Sequence, residues 1–575
     1  MKRIITLLIL LSNPLHAEEK KVETSEKPWG ENTGEVLYNG ITLPKVWPPR
    51  HFDPASDEPM PVPYLDSPPT VLPIDVGRQL FVDDFLIEGT SLKRVFHQAE
   101  KFSENPVFKA ETPTEVEKGS VVYLGQGGVF YDPAESHFKM FYTAGWRGPL
   151  AMATSPDLET WTRPALTPEG TNHLLPTGVQ WEGPETVVAG SDNAVWFDAN
   201  AVDPKERIKF LTCWMHVKPE LRPEGFSHTL QTSDGTNWTT PRPTGEAEDY
   251  GSFFYNPFRE KWVQSIKQGG PRGRSRWYVE NDEFLASADW SDSVYWTNAD
   301  RLDAPEPEET YPGPPTTPQL YSLAAVAYES LIVGMNQIHR GPDNRTCAEG
   351  GHPKLTDLEL GFSRDGFHWH RPDRRGFIRG ERTEGAWDRA YLHTTTGVFS
   401  ILNDQLVFPY CAYSGIDAAG APGLYRGGAI GLATLRRDGF ASMNAGKEAG
   451  SLTTRPLTFS GKHLFVNVDC PKGELRVEIL NREGEPIAPF TQARCQPIEE
   501  DATLIRVDWD TGDDLAALIG QQVRFRFTLR QGALYSFWVS PDESGRSEGY
   551  VAAGGPGYPG TRDTVGRAAL KKNEP

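Results

Sequence analysis

One phrase recurs along this chain, and it limits the fold more than any other feature. "TSPDLETWTRP" (Thr154 to Pro164), "TSDGTNWTTP" (Thr232 to Pro241) and "SRDGFHWHRP" (Ser363 to Pro372) each pair an acidic turn with a tryptophan a few residues on. A degraded copy, "ASADWSDSVYW", ends at Trp296, and a fifth keeps only "RRDGF", with Phe440 in place of the tryptophan. The copies are spaced by roughly 58 to 77 residues, longer than the ~40–50 of common propeller repeats, and longer loops account for the excess. Each copy closes the same series. An apolar-aromatic strand ("GGVFYDP", "SFFYNPF") is followed by an alternating one ("FKMFYTA", "WVQSIKQ"), then by a third that runs into the turn ("LELGFSRDG"). Asp-Gly favours a tight turn because Gly tolerates positive φ. Four short strands per unit, repeated five times, predict a five-bladed β-propeller, because one blade cannot bury both faces and a closed ring can.

The flanks read differently. "MKR", the apolar "IITLLILL" and "LHA" ending at Ala17 form a secretory signal over residues 1–17, so a secreted or periplasmic mature protein is expected. Residues 18–73 are a Pro-rich lead, extended on the surface or mobile. The ring is assigned to 74–445. Beyond it, "HLFVNVD", "GELRVEILN", "TLIRVDW", "QVRFRFTLR" and "ALYSFWV" alternate with period two, which predicts a C-terminal antiparallel β-sandwich over 446–545. A Gly-rich tail, 546–575, is expected to be disordered. The fold class is therefore all-β, and the 55 Gly and 48 Pro residues suit it.

A formal net charge of -20 argues against nucleic acid as a partner. No later apolar run is long enough for a spanning helix, so no membrane insertion is expected. Five cysteines without C-x-x-C spacing argue against a zinc site. Cys470 and Cys495 are near enough in sequence to pair in an oxidising compartment.

Several stretches resemble a group of exported bacterial proteins, common in Planctomycetes, that are similar to glycoside hydrolase families 32 and 43. They are "RQLFVDDFLIE", "GGVFYDPAESHFKMFY", "TVVAGSDNAVWFD", "FFYNPFREKWV", "AVAYESL", "LGFSRDGFHWHRP" and "GELRVEILNREGEPI". The Trp-Met-Asn-Asp-Pro-Asn-Gly opening of family 32 is absent. The resemblance implies hydrolysis of a terminal sugar of an oligo- or polysaccharide in the propeller funnel. It implies carboxylates at the heads of different inner strands, and no cofactor is required. A central structural cation such as calcium, beside a histidine, is a further implication.

Glycosidases work with one carboxyl that protonates the leaving oxygen and one that attacks or activates water. Asp192 in "GSDNAVWFD" and Asp249 in "EAEDYGSFFYNPF" head the second and third inner strands. The alternatives are a turn cap for Asp192 and a solvated acidic loop for Asp249. Glu329 in "VAYESLIVG" is a candidate acid, or part of a hairpin. Glu182 and Glu185 can reach the mouth from a loop. Where known glycosidases place the nucleophile, the first inner strand offers Gln126, and Glu117 is the nearest upstream acid. Asp132 reads as a cap. "KQGGPRGRSRWY" gathers Lys267, Arg272, Arg274, Arg276 and Trp277, suiting an acidic or sulfated sugar, or internal ion pairs. His393 heads the fifth inner strand and points at the channel or packs on a neighbour. Two rivals stay open: a non-catalytic glycan-binding propeller, which Gln126 favours, and a lyase using Tyr391 and His393.

Overall fold

The computed structural model describes residues 33–175, 187–189, 192–216, 226–245, 247–307 and 316–570. Helix is confined to short pieces such as Pro113–Glu117 and Asn344–Gly350, and the chain is otherwise strands and turns. The signal segment lies outside the described residues.

Between residues 122 and 436 the strands pair antiparallel with their sequence neighbours. Val122–Asp132, His137–Ala144, Leu150–Ser155 and His173–Leu175 form one set. Ala194–Phe197, Ile208–His216, Phe226–Ser233 and Arg242–Pro243 form the next, joined to the first by a parallel bridge between Ala194 and Gln126. Ser252–Asn256, Lys261–Gly270, Gly273–Asn281 and Val294–Thr297 follow. Then come Gln319–Glu329, Leu331–Gly341 and Leu355–Ser363, and finally Ala390–His393, Gln405–Tyr413 and Gly428–Arg436. The first strands are buried along almost their whole length, so each has protein on both faces.

The recurring phrase is a fastening. In three copies a serine and an aspartate accept backbone N–H groups of the turn. Asp234 takes those of Thr236 and Asn237 at 2.8 and 2.7 Å, and Asp365 takes those of Phe367 and His368, both at 2.9 Å. Asp157 does the same for Glu159 and Thr160. The chain then bridges back onto its own strand at Thr154–Thr162, Ser233–Trp238 and Phe362–His370. Trp296 and Trp369 are buried with rings 6.0 Å apart, whereas Trp161 and Trp238 are only half-buried.

The C-terminal strands form two antiparallel sheets around one apolar cluster that includes Leu464, Val466, Val477, Phe525, Phe527 and Phe537. Neither sheet is C-terminal alone. Ile87–Thr90 pairs with Gly450–Thr454, and Lys93–Phe96 pairs with Ala441–Ala445. Gln79–Leu80 pairs with Gly532–Ser540. Residues 79–96, expected in the ring, therefore complete these sheets, where they cover edges that would otherwise be unpaired. The lead contributes Leu37, Ile41, Leu43 and Tyr64 to the same cluster. Cys470 and Cys495 are both buried as free thiols.

The Gly-rich tail is ordered as far as Leu570, against the expectation of disorder. Tyr550–Val551 pairs with the end of Gln319–Glu329, and Asp563 and Ser547 join a buried polar cluster there. Glycine is used here for close approach: a Cβ on Gly549 would lie 2.2 Å from a Glu329 carboxylate oxygen.

Candidate functional site

Four of the five inner strands carry a tyrosine at or just before their heads; the second, Ala194–Phe197, carries Asp192 there instead. Tyr123, Tyr250, Tyr321 and Tyr391 come from four strand sets and surround His393, with ring centroids 5.0, 5.3, 6.3 and 4.2 Å from the imidazole. Tyr250 hydrogen-bonds to His393 Nδ1 and donates to Gly125 O at 3.0 Å. Burial first, then the Lys354 ammonium, drives the His393 imidazole well below its usual range, so it is neutral. Tyr250 and Tyr391 have φ of 65° and 53°, a left-handed conformation that bulky residues adopt at a cost of about 1–3 kcal/mol. Strain of this size is held in place by the surrounding contacts.

Asp192 and Asp249 lie beside this hub, near enough for the charge of one to act on the other. Tyr123 donates to Asp192 Oδ1 at 2.9 Å. Burial, then the charge of Asp249, pushes the Asp192 carboxyl up to about 6. Asp249 is half-buried and ion-paired with Lys267. Burial works against its charge, but Lys267, with Lys354 and Arg274 beyond, holds it below the usual carboxylate range. Two carboxyl groups in one pocket thus titrate in opposite directions, one protonated where the other is ionised.

Cations and aromatic rings complete the pocket. The Lys267 and Lys354 ammonium groups and the Arg274 guanidinium lie 4.6, 4.9 and 5.1 Å from the centre of one ring, Tyr321. Burial, then Arg274 and Lys267, lowers Lys354 to about 7. Trp146 and Tyr425 stack at 3.9 Å with planes 9° apart. Tyr425 is near enough to Asp192 and Asp249 for burial and their charges to raise its hydroxyl to about 12.

The other candidates lie elsewhere. Glu329 is at the opposite end of Gln319–Glu329, about 33 Å along an 11-residue strand from Gln319. There it is fully buried, bonded by Arg437 Nη2 at 2.9 Å, Arg78 N at 3.0 Å and Ser547 Oγ at 2.6 Å, and burial outweighs the two arginines and raises its carboxyl, so it belongs to a structural cluster and is not beside Asp192. Arg276 points inward and donates to Tyr250 O at 3.1 Å and to Ser265, Ser252 and Ser322. Burial drives it down to about 9, and it serves the wall of the channel. Trp277, one residue on, faces the other side of the strand and packs edge-on to Tyr295, away from the pocket. Glu117 is exposed at the end of a short helix, and no contact joins it to the acid pair among the described residues. Its neighbour Glu115 is the buried one, closing a capping box and binding Tyr142 and Arg163. Arg272 reaches Asp57 at 3.6 Å. Asp132 caps its turn and pairs with Lys139. Glu182 and Glu185 lie outside the described residues.

Gln126 sits on its strand opposite Ala194, two residues from Asp192. Its amide donates to Ser322, the residue that Arg276 also reaches. A central cation fits poorly here. Gln126 Oε1, Gln337 Oε1 and His393 Nε2 have no hydrogen-bond partner among the described residues, but the Arg276 guanidinium supplies positive charge at Ser322, beside Gln126. Among the described residues no group of three or more His, Cys, Asp or Glu side chains could hold a metal ion. A cavity of about 450 Å³ lined by Phe130, Trp196, Tyr255, Trp262 and Tyr550 opens at the far ends of the inner strands. Its acids are Asp198 and Glu206, which flank Lys209, Asp282, which pairs with Lys261, and Glu260.

No protein-family model matches the chain, and no curated protein does. Among solved structures the chain is similar to a thermostable family-43 glycoside hydrolase, with 11% identity over 55% of this chain and 90% of that one and a TM-score of 0.37. It is similar to a fructofuranosidase from Schwanniomyces occidentalis complexed with fructose, with 12% identity, 74% and 100% coverage and a TM-score of 0.33. A Bombyx mori family-32 β-fructofuranosidase is similar at 11% identity, 76% and 94% coverage and a TM-score of 0.30.

Sequence reasoning missed Lys354, the Trp146–Tyr425 stack and three of the four tyrosines. The tyrosines had a signal: "VVYLG", "EDYGS", "QLYSL" and "RAYLH" each place one at a strand head. Lys354 had none, because it enters from the third strand of its set.

Proposed function

We propose that the protein is an exported glycoside hydrolase that cleaves a terminal sugar from an oligo- or polysaccharide. The five strand sets are read as the blades of a propeller, and the two C-terminal sheets as a sandwich packed on it. The observation that carries the reading is the opposed titration of Asp192 and Asp249 in one pocket. Asp192 is the proton donor. Tyr123 holds its Oδ1, which leaves Oδ2 to pass a proton to the glycosidic oxygen as the C–O bond breaks. Asp249, kept ionised by Lys267, attacks the anomeric carbon or takes a proton from the attacking water. The Trp146–Tyr425 stack offers an apolar platform for a sugar face.

The rival is a propeller that binds glycan without cleaving it. Gln126 favours it, because the first inner strand supplies no third acid. A glycan panel with the parent, Asp192→Asn and Asp249→Asn decides between them. Cleavage by the parent, lost in both variants while binding persists, supports the hydrolase. Binding without cleavage by all three proteins leaves the rival standing.

A further inference from the structure

We propose that the sugar taken by this funnel carries an anionic group, a carboxylate or a sulfate ester, and that Lys354 and Arg274 read it. This rests on the funnel being a sugar site, but not on its being a hydrolase.

The argument is a charge balance. Lys267 pairs with Asp249 and lies 3.8 Å from Glu248, Asp192 is the carboxyl whose neutral form burial favours, and Arg276 is committed to Tyr250 O and three serines. Lys354 and Arg274 remain. Lys354 is buried to 1% exposure, and among the described residues no carboxylate pairs with it. Its ammonium donates to the hydroxyls of Tyr321 and Tyr391, at 3.1 and 3.4 Å, and lies over the faces of Tyr321, Tyr391 and Tyr425. Burying a charge without a counter-ion is expensive. The cost is higher here, because Lys267 and Arg274 crowd the same Tyr321 ring. Arg274 is half-buried and bonds Gln319 Oε1 through Nη1 at 2.7 Å. The rest of its fork is uncommitted among the described residues, and such a fork matches a carboxylate or sulfate with paired hydrogen bonds. An anion between the two would supply the missing counter-charge, in a protein whose net charge is otherwise -20.

The test is calorimetric binding to the full chain, below the pH of about 7 at which Lys354 loses its proton. The probes are D-glucuronate, D-galacturonate and D-glucose 6-sulfate, against D-glucose and D-galactose. The uronates and the sulfate ester distinguish the two sources of charge. At least one anionic probe should bind about tenfold or more tightly than its neutral counterpart, the scale of one or two charge-assisted hydrogen bonds. Lys354→Met and Arg274→Gln should each bring the ratio of anionic to neutral affinity close to one, and Lys354→Arg should restore part of it. If Lys354→Met does not fold, Arg274→Gln, at a half-buried position, carries the test. Equal affinity for charged and neutral probes, or no binding of either, overturns the inference. Anionic preference without any cleavage keeps it and removes the hydrolase reading. Cleavage of neutral glycosides alone does the reverse.

Discussion

Replacing Asp192 by Asn should make the protein more stable at neutral pH while abolishing its chemistry. The folded carboxyl titrates near 6, against an ordinary 3.8, because it is buried and next to Asp249. The native state therefore holds more protons than the unfolded chain between those two values. By linkage, stability falls as pH rises through that window and levels off above it. At about 1.4 kcal/mol per pH unit, the gap between 3.8 and about 6 comes to about 3 kcal/mol of strain in the ionised state. Asn is the same size, and its carbonyl can still accept from Tyr123, but it never ionises. Urea unfolding of parent and variant at pH 4 and pH 8 measures the effect. Equal stability is expected at pH 4, and an advantage to the variant approaching about 3 kcal/mol at pH 8. A parent that gains on the variant as pH rises would refute the assignment of a raised carboxyl. On the hydrolase reading the same proton would set the alkaline limb of activity. Turnover should decline above about pH 6 as Asp192 ionises, and at low pH as Asp249, held below the usual range, becomes protonated.

Three further outcomes are expected. Glu329→Gln should cost about 3–5 kcal/mol, as when one partner of a buried ion cluster is removed, and the molecules that fold should keep the parent kcat; a selective loss of kcat would return Glu329 to the active site. Trp369→Ala should cost about 3–5 kcal/mol in thermal or chemical unfolding, and the half-buried Trp161→Ala clearly less; equal losses would mean that the repeat tryptophans share one environment. A fragment spanning 450–541 should aggregate or melt without cooperativity, because the strands at 87–90, 79–80 and 441–445 that pair with its two sheets are missing; a sharp transition by circular dichroism would show that they are dispensable.

The placement of Asp192 and Asp249 was legible in the sequence, because each stands just before an inner strand whose apolar run marks its start. Glu329 misled because an acid inside an apolar segment looks the same at either end of a strand. Its hairpin position with Ser330 was the better clue, since a hairpin marks the end remote from the strand head. Arg274, Arg276 and Trp277 show a second limit. Composition gathers them, but alternation along one strand sends Trp277 to the opposite face and sinks Arg276 deeper than Arg274. Lys354 was beyond reach, because its place in the pocket depends on how two non-adjacent strands lie across the ring of tyrosines. The tail was misjudged from its glycines, which here let backbone approach the buried carboxylate of Glu329 where a side chain would not fit.

That tail has a consequence for biosynthesis. Glu329, Arg78 and Arg437 are made long before Ser547, Tyr550 and Asp563, yet the cluster is complete only when all of them are present. Until then the growing polypeptide displays an unpaired strand edge at Tyr328 and Glu329, next to charges without their full complement. Such an edge is a template for sticking to other chains. A chain truncated before Tyr550 should therefore keep that edge open and give less soluble protein than the full-length chain.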